Sequence, residues 1–357
     1  MSPVILDVTI KLLSPMYIGV GYEFTHLKRC KDYIPGIVLR GAFETAITEI
    51  YGDKDIVESV HNKIFQKYEM KNGKIINSNK KGNAYFRPAY PMIEETKLLP
   101  CPQNVSYCPK CGKLLRDKPI CPEHNEKCKR IKWISEEGLE MVMNNGEVNE
   151  KLNGEIPKKR KIWRISLETS KGTVKEGPFV YEAIEKDECF HTRIILLKDF
   201  VKEFINAAKY LEDSGIGALT KMGFGEVEIK IKQSQHEPNT IKSLDKDEIS
   251  ITALSPIITS SPDVLKEVSK SDLRINYEPE LRRLELSGYN GSVVPVRGWS
   301  LEYKRRNLQF ALDKGSVIFY KIGKNIDKEK LIDEIKRAQI FGIGKNSMFG
   351  FGWIMFH

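Results

Sequence analysis

The chain lacks any long apolar run. Nowhere do its 357 residues hold the roughly 20 consecutive apolar side chains that a bilayer-spanning helix needs. A helical membrane protein is thereby excluded. Histidine is scarce, at six, and tryptophan scarcer, at four. No Gly-x-Ser-x-Gly elbow, phosphate-binding P-loop or His-Glu-x-x-His helix occurs, so the common signatures of serine hydrolases, nucleotide hydrolases and zinc peptidases are missing. The opening residues, MSPVILDVTIKLL, alternate like a strand and lack the basic-then-apolar layout of a secretory signal. A cytoplasmic location is the expectation.

Positive charge is in surplus: 57 Lys and Arg stand against 48 Asp and Glu, a formal net charge of +9. That balance suits a polyanionic partner, although many lysine-rich proteins have none. The seven cysteines are unevenly placed. Cys101, Cys108, Cys111, Cys121 and Cys128 crowd into one segment, while Cys30 and Cys189 stand alone. An odd count, clustering and no secretory signal argue for a metal site over disulfides. Cys108-Pro109-Lys110-Cys111-Gly112 has the form of a zinc knuckle, and Cys121-Pro122-Glu123-His124 repeats its spacing with histidine last. The expected site is Cys108, Cys111, Cys121 and His124, with Cys128 competing for the fourth place and Cys101 a remoter candidate. Four protein ligands leave no position for an activated water, so the expected zinc is structural.

The chain also repeats itself. Gly215-Ile216-Gly217 runs on to Gly223-Phe224-Gly225, and Gly342-Ile343-Gly344 to Gly350-Phe351-Gly352, with spacers of equal length. Each loop follows a β-like run and an amphipathic helix: His191–Leu197, then Phe200, Phe204, Ala208 and Leu211; Ser316–Tyr320, then Leu331, Ile335 and Ala338. Each loop precedes an apolar strand, Val227–Ile231 or Trp353–Phe356. The halves also start alike, with a strand ended by Ser14-Pro15 or Ser255-Pro256. In the first half a helix follows from Ile37 to Ile50; in the second, Pro262–Val268 is the candidate. The fold class is α+β: two ferredoxin-like, RRM-like units in tandem, each strand, helix, strands, helix, glycine loop and final strand. The first domain spans 1–232 and the second 248–357, joined by a polar linker at 233–247. An insertion at about 72–161, with a zinc ribbon at about 98–130, interrupts the first.

Glycines at positive φ let backbone amides face a phosphate or a base. The candidate RNA contacts therefore include Lys221, Gly223, Phe224 and Gly225 in the first loop. In the second they are Gly342, Gly344, Lys345, Gly350, Phe351 and Gly352. Lys28, Arg29, Tyr33, Gly36 and Arg40 surround a Pro-Gly helix start, whose free amides and dipole can seat a phosphate. Arg305 and Arg306, beside Trp299 and Tyr303, form a second basic patch. Catalysis has few handles. His26 is the candidate general base for cleavage of RNA by its own 2′-hydroxyl, and Asp32 a candidate acid; the preferred expectation is no enzymatic activity.

Tyr33-Ile34-Pro35-Gly36 with Leu39-Arg40-Gly41-Ala42, and the paired glycine loops, resemble the RAMP superfamily of CRISPR-associated proteins. Thr169 to Ala183, with its Gly-x4-Gly-x-Phe-x-Tyr-Glu-Ala pattern, Gly298-Trp299 leading to Ala311–Ser316, and the cysteine knuckle resemble one member more narrowly. That member is the type III-D effector subunit similar to the component capping the crRNA 5′ handle. The resemblance implies two RRM-like RAMP domains and binding of the guide RNA's 5′ end. It also implies contact with a large polymerase-like subunit and with backbone RAMP subunits, in antiviral defence. The alternatives within the superfamily are a metal-independent endoribonuclease processing precursor crRNA, and a target-RNA-cleaving backbone subunit.

Overall fold

The structure is a computed structural model. It describes residues 3–20, 26–52, 63–65, 68–71, 74–77, 82–143, 155–168, 173–197, 200–234, 244, 247–259, 280–296, 299–300, 304–305 and 309–357. The described residues hold four α-helices: α1 Gly36–Tyr51, α2 Glu136–Met143, α3 Val201–Ser214 and α4 Lys328–Phe341. The chain forms two compact units. One comprises Met1–Ala84, Pro88–Ile93 and Gly154–Ser234; the other comprises Tyr85–Arg87, Glu94–Asn153 and Gln235–His357.

The first unit is built on strands β1 (Val4–Leu12), β2 (Tyr90–Ile93), β3 (Cys189–Leu196) and β4 (Val227–Ser234). They lie in the order β2-β3-β1-β4, all neighbours antiparallel, with Val8 opposite both Thr192 and Ile231. The alternation of β1 explains its place at the centre: Leu6, Val8, Ile10 and Leu12 are fully buried, while Asp7, Thr9 and Lys11 are half-buried on the other face. Helix α1 starts behind Pro35, whose fixed φ suits a helix start, and presents Leu39, Phe43, Ala46 and Ile47 to the core. Helix α3 buries Phe204, Ala207, Ala208 and Leu211. The two helices meet where Phe43 stacks on Phe204, ring centroids 5.3 Å apart. A hairpin, Lys159–Glu168 with Thr173–Ile184, adds the short parallel strand Leu27–Lys28 to make a separate three-stranded sheet.

The second unit contains strands β5 (Glu248–Ala253), β6 (Glu285–Asn290), β7 (Val317–Lys321) and β8 (Ile354–Phe356). Their order is β6-β7-β5-β8, position for position that of the first unit, and again antiparallel. Ile251, Ile318, Leu331, Ile335, Ala338, Ile343 and Phe356 share its core. Helix α4 is capped by Asp327, whose carboxylate accepts from the Lys330 amide at 3.2 Å.

The boundary between the units falls at 234/235, inside the expected linker at 233–247, while the inserted segment is divided between them. The cysteine segment interrupts the first half in sequence yet packs within the second unit. The Gln103 amide donates to the Gly315 carbonyl at 2.7 Å. Lys314 Nζ lies 6.0 Å from the Trp133 ring and the Arg116 guanidinium 6.0 Å from the Phe319 ring. Spacing along a sequence shows where a segment is inserted and is silent about the surface that receives it. The second helix candidate, Pro262–Val268, and most of the linker at 233–247 lie outside the described residues.

Candidate functional site

Each unit is tied shut by the same glycine knot. In the first, the amides of Ile216, Ala218 and Gly225 donate to the carbonyls of Gly225, Tyr17 and Pro15, at 2.8, 3.0 and 2.8 Å. In the second, Ile343, Lys345 and Gly352 donate to Gly352, Ile258 and Pro256, at 2.8, 3.0 and 2.9 Å. The Ser-Pro pairs complete the knots: Ser14 Oγ accepts from the Glu226 amide at 3.0 Å and Ser255 Oγ from the Trp353 amide at 2.8 Å. Positive φ recurs at matched places, including the non-glycine pair Leu219 and Asn346. Gly225 and Gly352 are required twice over. Each has positive φ, and a side chain would collide with the Ile216 or Ile343 carbonyl. Phe224 is buried and Phe351 half-buried. Most of these glycines thus serve the joint between helix and strands.

The loop tips differ. In the first loop Lys221, Met222 and Gly223 are exposed, Met222 at 59%, and a Cβ on Gly223 would meet nothing within 4 Å. In the second loop Met348, Phe349 and Gly350 are buried, and Lys345 alone among the candidate contacts there is exposed. Gly342 and Gly352 are buried and Gly344 is half-buried. The open tip is steadied by Arg164 of the hairpin. Its guanidinium lies 4.8 Å from the Phe224 ring and donates to Met222 Sδ at 2.9 Å and to the Met222 carbonyl at 3.3 Å.

The helix start is less open than its sequence suggests. Arg29 is exposed and Lys28 half-buried, but Tyr33 and Gly36 are buried, Tyr33 packing against Tyr90 with centroids 5.5 Å apart. Arg40, expected at the RNA surface, is only 3% exposed. Its guanidinium pairs with Glu44 at 3.4 Å and lies 5.4 Å from the Phe65 ring, so it acts as an interior cation in this conformation. Position 40 falls one helical turn from the start, on the stripe that also holds Leu39, Phe43 and Ile47. Asp32 is buried at 6% exposure, whereas His26 is exposed with its ring centroid 6.3 Å from that of Phe179. Arg305 belongs to a short strand paired with Trp299–Ser300, while Arg306 and Tyr303 lie outside the described residues.

The four expected ligands converge. The donor atoms of Cys108, Cys111, Cys121 and His124 all lie within 4.8 Å of one another. Cys111 Sγ is 4.0 Å from Cys121 Sγ, and His124 Nδ1 is 3.5 Å from Cys121 Sγ and 3.9 Å from Cys108 Sγ. The two knuckles have one backbone design. Cys108 donates to the Lys113 carbonyl and receives from the Gly112 amide; Cys121 donates to Glu126 and receives from Asn125. Gly112 and Asn125 both have positive φ. The Cys111 amide, and then that of Lys110, hold the Cys108 thiol down at about 7, where a thiolate ligand forms readily. Cys128 is outside this group, its thiol directed at the Glu126 carbonyl at 3.9 Å. These residues can hold a metal ion.

A family profile for the RAMP superfamily matches residues 9–228. The chain belongs to the RAMP superfamily. No curated protein matches it. Three solved structures resemble this RAMP protein. One is a chain of the type III-B Cmr-beta bound to cognate target RNA, at 16% identity and TM-score 0.37, with 65% of this chain and 60% of that one covered. A second, the same assembly bound to cognate target RNA and AMPPnP, shows 16% identity and TM-score 0.41 over 93% and 88% of the two chains. The third, from a Csm3–Csm4 subcomplex of the type III-A CRISPR–Cas interference complex, shows 14% identity and TM-score 0.44 over 89% and 97%.

Two features of this RAMP protein escaped the sequence reading. Arg164 belongs to no motif, so nothing in its neighbours marks it as a partner of the loop tip. The Arg87 guanidinium, 4.5 Å from the Trp353 ring and bonded to the Gln339 and Ile340 carbonyls, has no local signal at all.

Proposed function

We propose that this RAMP protein is a non-catalytic RNA-binding subunit of a type III CRISPR effector complex, holding the crRNA 5′ handle in antiviral defence. The observation that carries the reading is the knot built twice, with one tip covered and one open. Tandem ferredoxin-like domains are supported by the matching strand orders β2-β3-β1-β4 and β6-β7-β5-β8. The open tip offers Lys221 for a phosphate and a glycine with room beside it for a base or sugar. Contact with a large polymerase-like subunit and with backbone RAMP subunits belongs to the same reading.

The metal centre fits zinc. Its donors are three sulfurs and one imidazole nitrogen, a borderline-soft set without carboxylate. Zinc–sulfur bonds of about 2.3 Å in a tetrahedron space the sulfurs about 3.8 Å apart, close to the 4.0 Å between Cys111 and Cys121. Four protein ligands assign the ion a structural role, fixing two knuckles that have little core of their own.

Affinity purification from the native host tests the reading. Discrete small RNAs sharing one 5′ end, together with type III subunits, are expected to co-purify. In parallel, purified protein is incubated with repeat RNA. Metal-independent cleavage that disappears in His26→Ala would overturn the non-catalytic reading in favour of a processing endoribonuclease.

A further inference from the structure

Trp163 is 68% exposed to solvent. A lone exposed aromatic is ordinary on a protein surface, so its meaning rests on its surroundings. Those surroundings indicate the chemistry of a partner. Lys158, Arg160 and Lys161 immediately precede it and all three are exposed. Lys161 shares the strand face of Trp163, since residues two apart point the same way. The acidic residue across from Lys161 is Glu182, and its carboxylate is committed to Lys159 Nζ at 2.9 Å. Among the described residues Arg160 and Lys161 make no ion pair.

The strand Lys159–Glu168 stands at the edge of its three-stranded sheet, so side chains of both faces border the same open side. Its next residue, Arg164, is the one that grips Met222 and Phe224 at the open glycine tip. Arg160 and Arg164 share one face of this strand and Lys161 and Trp163 the other, so the open edge carries an exposed cation on each side of the indole. Aromatic faces interleaved with uncompensated cations are what a single-stranded nucleic acid requires: bases stack, phosphates are neutralised. An acidic protein segment would use the cations and leave the indole face without a planar partner.

We propose that this edge of the hairpin is a stacking platform for single-stranded RNA, with Trp163 under a base and Arg160 and Lys161 on the flanking phosphates. The proposal rests on the RNA-binding reading above and adds a contact region to it.

The test uses the full chain and a fluorescently labelled single-stranded RNA of about 20 nucleotides, a length spanning more than one site of the usual size, titrated at several salt concentrations. Trp163→Ala is expected to weaken binding about tenfold or more and to leave the salt slope unchanged. Trp163→Phe is expected to keep most of the affinity while losing part of the tryptophan quenching on RNA addition. Arg160→Ala with Lys161→Ala is expected to lower the log–log salt slope by about 1.4, at about 0.7 per phosphate. If Lys221→Ala weakens RNA binding while the Trp163 and double variants bind like the parent, the platform is overturned and the RNA-binding reading stands. If the parent chain binds no RNA even at low salt, both fall.

Discussion

The amide of Gly352 reaches back to the carbonyl of Pro256 at 2.9 Å, and the Gly352 carbonyl in turn receives the amide of Ile343 at 2.8 Å. One glycine thus joins the last strand of its unit to the end of the first strand and to the end of helix α4. Gly225 does the same with Pro15 and Ile216.

Substitution of these two glycines is expected to be severe. Gly225→Ala and Gly352→Ala each force a Cβ against a carbonyl oxygen at positive φ. Each is expected to cost roughly 3 kcal/mol or more, summing backbone strain and steric displacement. Gly223→Ala meets only the strain of its φ of 80°, at about 1–2 kcal/mol. Urea-denaturation midpoints ranked Gly223→Ala well above the other two are the expected outcome; equal losses at all three would refute the knot's role.

Arg40 is expected to matter for stability and not for RNA. Removing its guanidinium leaves Glu44 without that partner and exposes the face of Phe65. Arg40→Ala is expected to cost about 1–3 kcal/mol, with Arg40→Met milder because its stem still packs. RNA affinity, measured under conditions where the variant is folded, is expected to match the parent. A loss of affinity at unchanged stability would return Arg40 to the RNA surface.

Metal loss is expected to follow the four-residue group. Parent protein is expected to contain about one zinc per chain, as a closed tetrahedral site holds. Cys108→Ser or His124→Ala is expected to lose it, and Cys128→Ser to retain it. Elemental analysis of the purified variants decides between them. Chelation is expected to loosen residues 108–129 first, read as faster amide hydrogen exchange there, because binding energy and folding energy are coupled in such sites.

Acid is expected to destabilise the second unit through His357. Burial, reinforced by the nearby Arg116 guanidinium, holds its imidazole down at about 3, and its Nε2 lies 3.2 Å from Thr252 Oγ1. Between that value and the ordinary histidine value near 6.5 the unfolded chain binds a proton that the folded chain refuses. Stability therefore falls as pH drops through this window, by up to about 1.4 kcal/mol per pH unit from this group, and is unaffected by it above about 7. His357→Gln is expected to flatten that part of the profile in denaturation curves between pH 4 and pH 7, values chosen to lie inside the window (roughly 3 to 6.5) and just above it.

Much of this architecture was legible from spacing alone. The offset that aligns the glycine loops also aligns the positive φ at Leu219 and Asn346, because both positions follow the same turn geometry. Helix α1 was readable from Pro35-Gly36 and its apolar stripe, and the convergence of Cys108, Cys111, Cys121 and His124 from two short knuckles, since local motifs carry local geometry. The burial of Arg40 was not legible, because a cation on an apolar stripe reads as surface until its partners, Glu44 and distant Phe65, are located. The cysteine segment's attachment through Gly315 and Trp133 depends on contacts far apart in sequence, and no spacing rule reaches that far.

The paired knots have a consequence for how the chain matures on the ribosome. Pro15 is made early, yet its partner Gly225 comes more than two hundred residues later. The first unit cannot close until its last strand emerges, and the whole cysteine segment is synthesised in the meantime. That segment in turn waits for Gly315 of the second unit. Contacts so distant in sequence make folding slow and leave sheet edges open while it proceeds. The two knuckles, each closed by its own short-range backbone hydrogen bonds, give the waiting segment a local shape before either unit is complete.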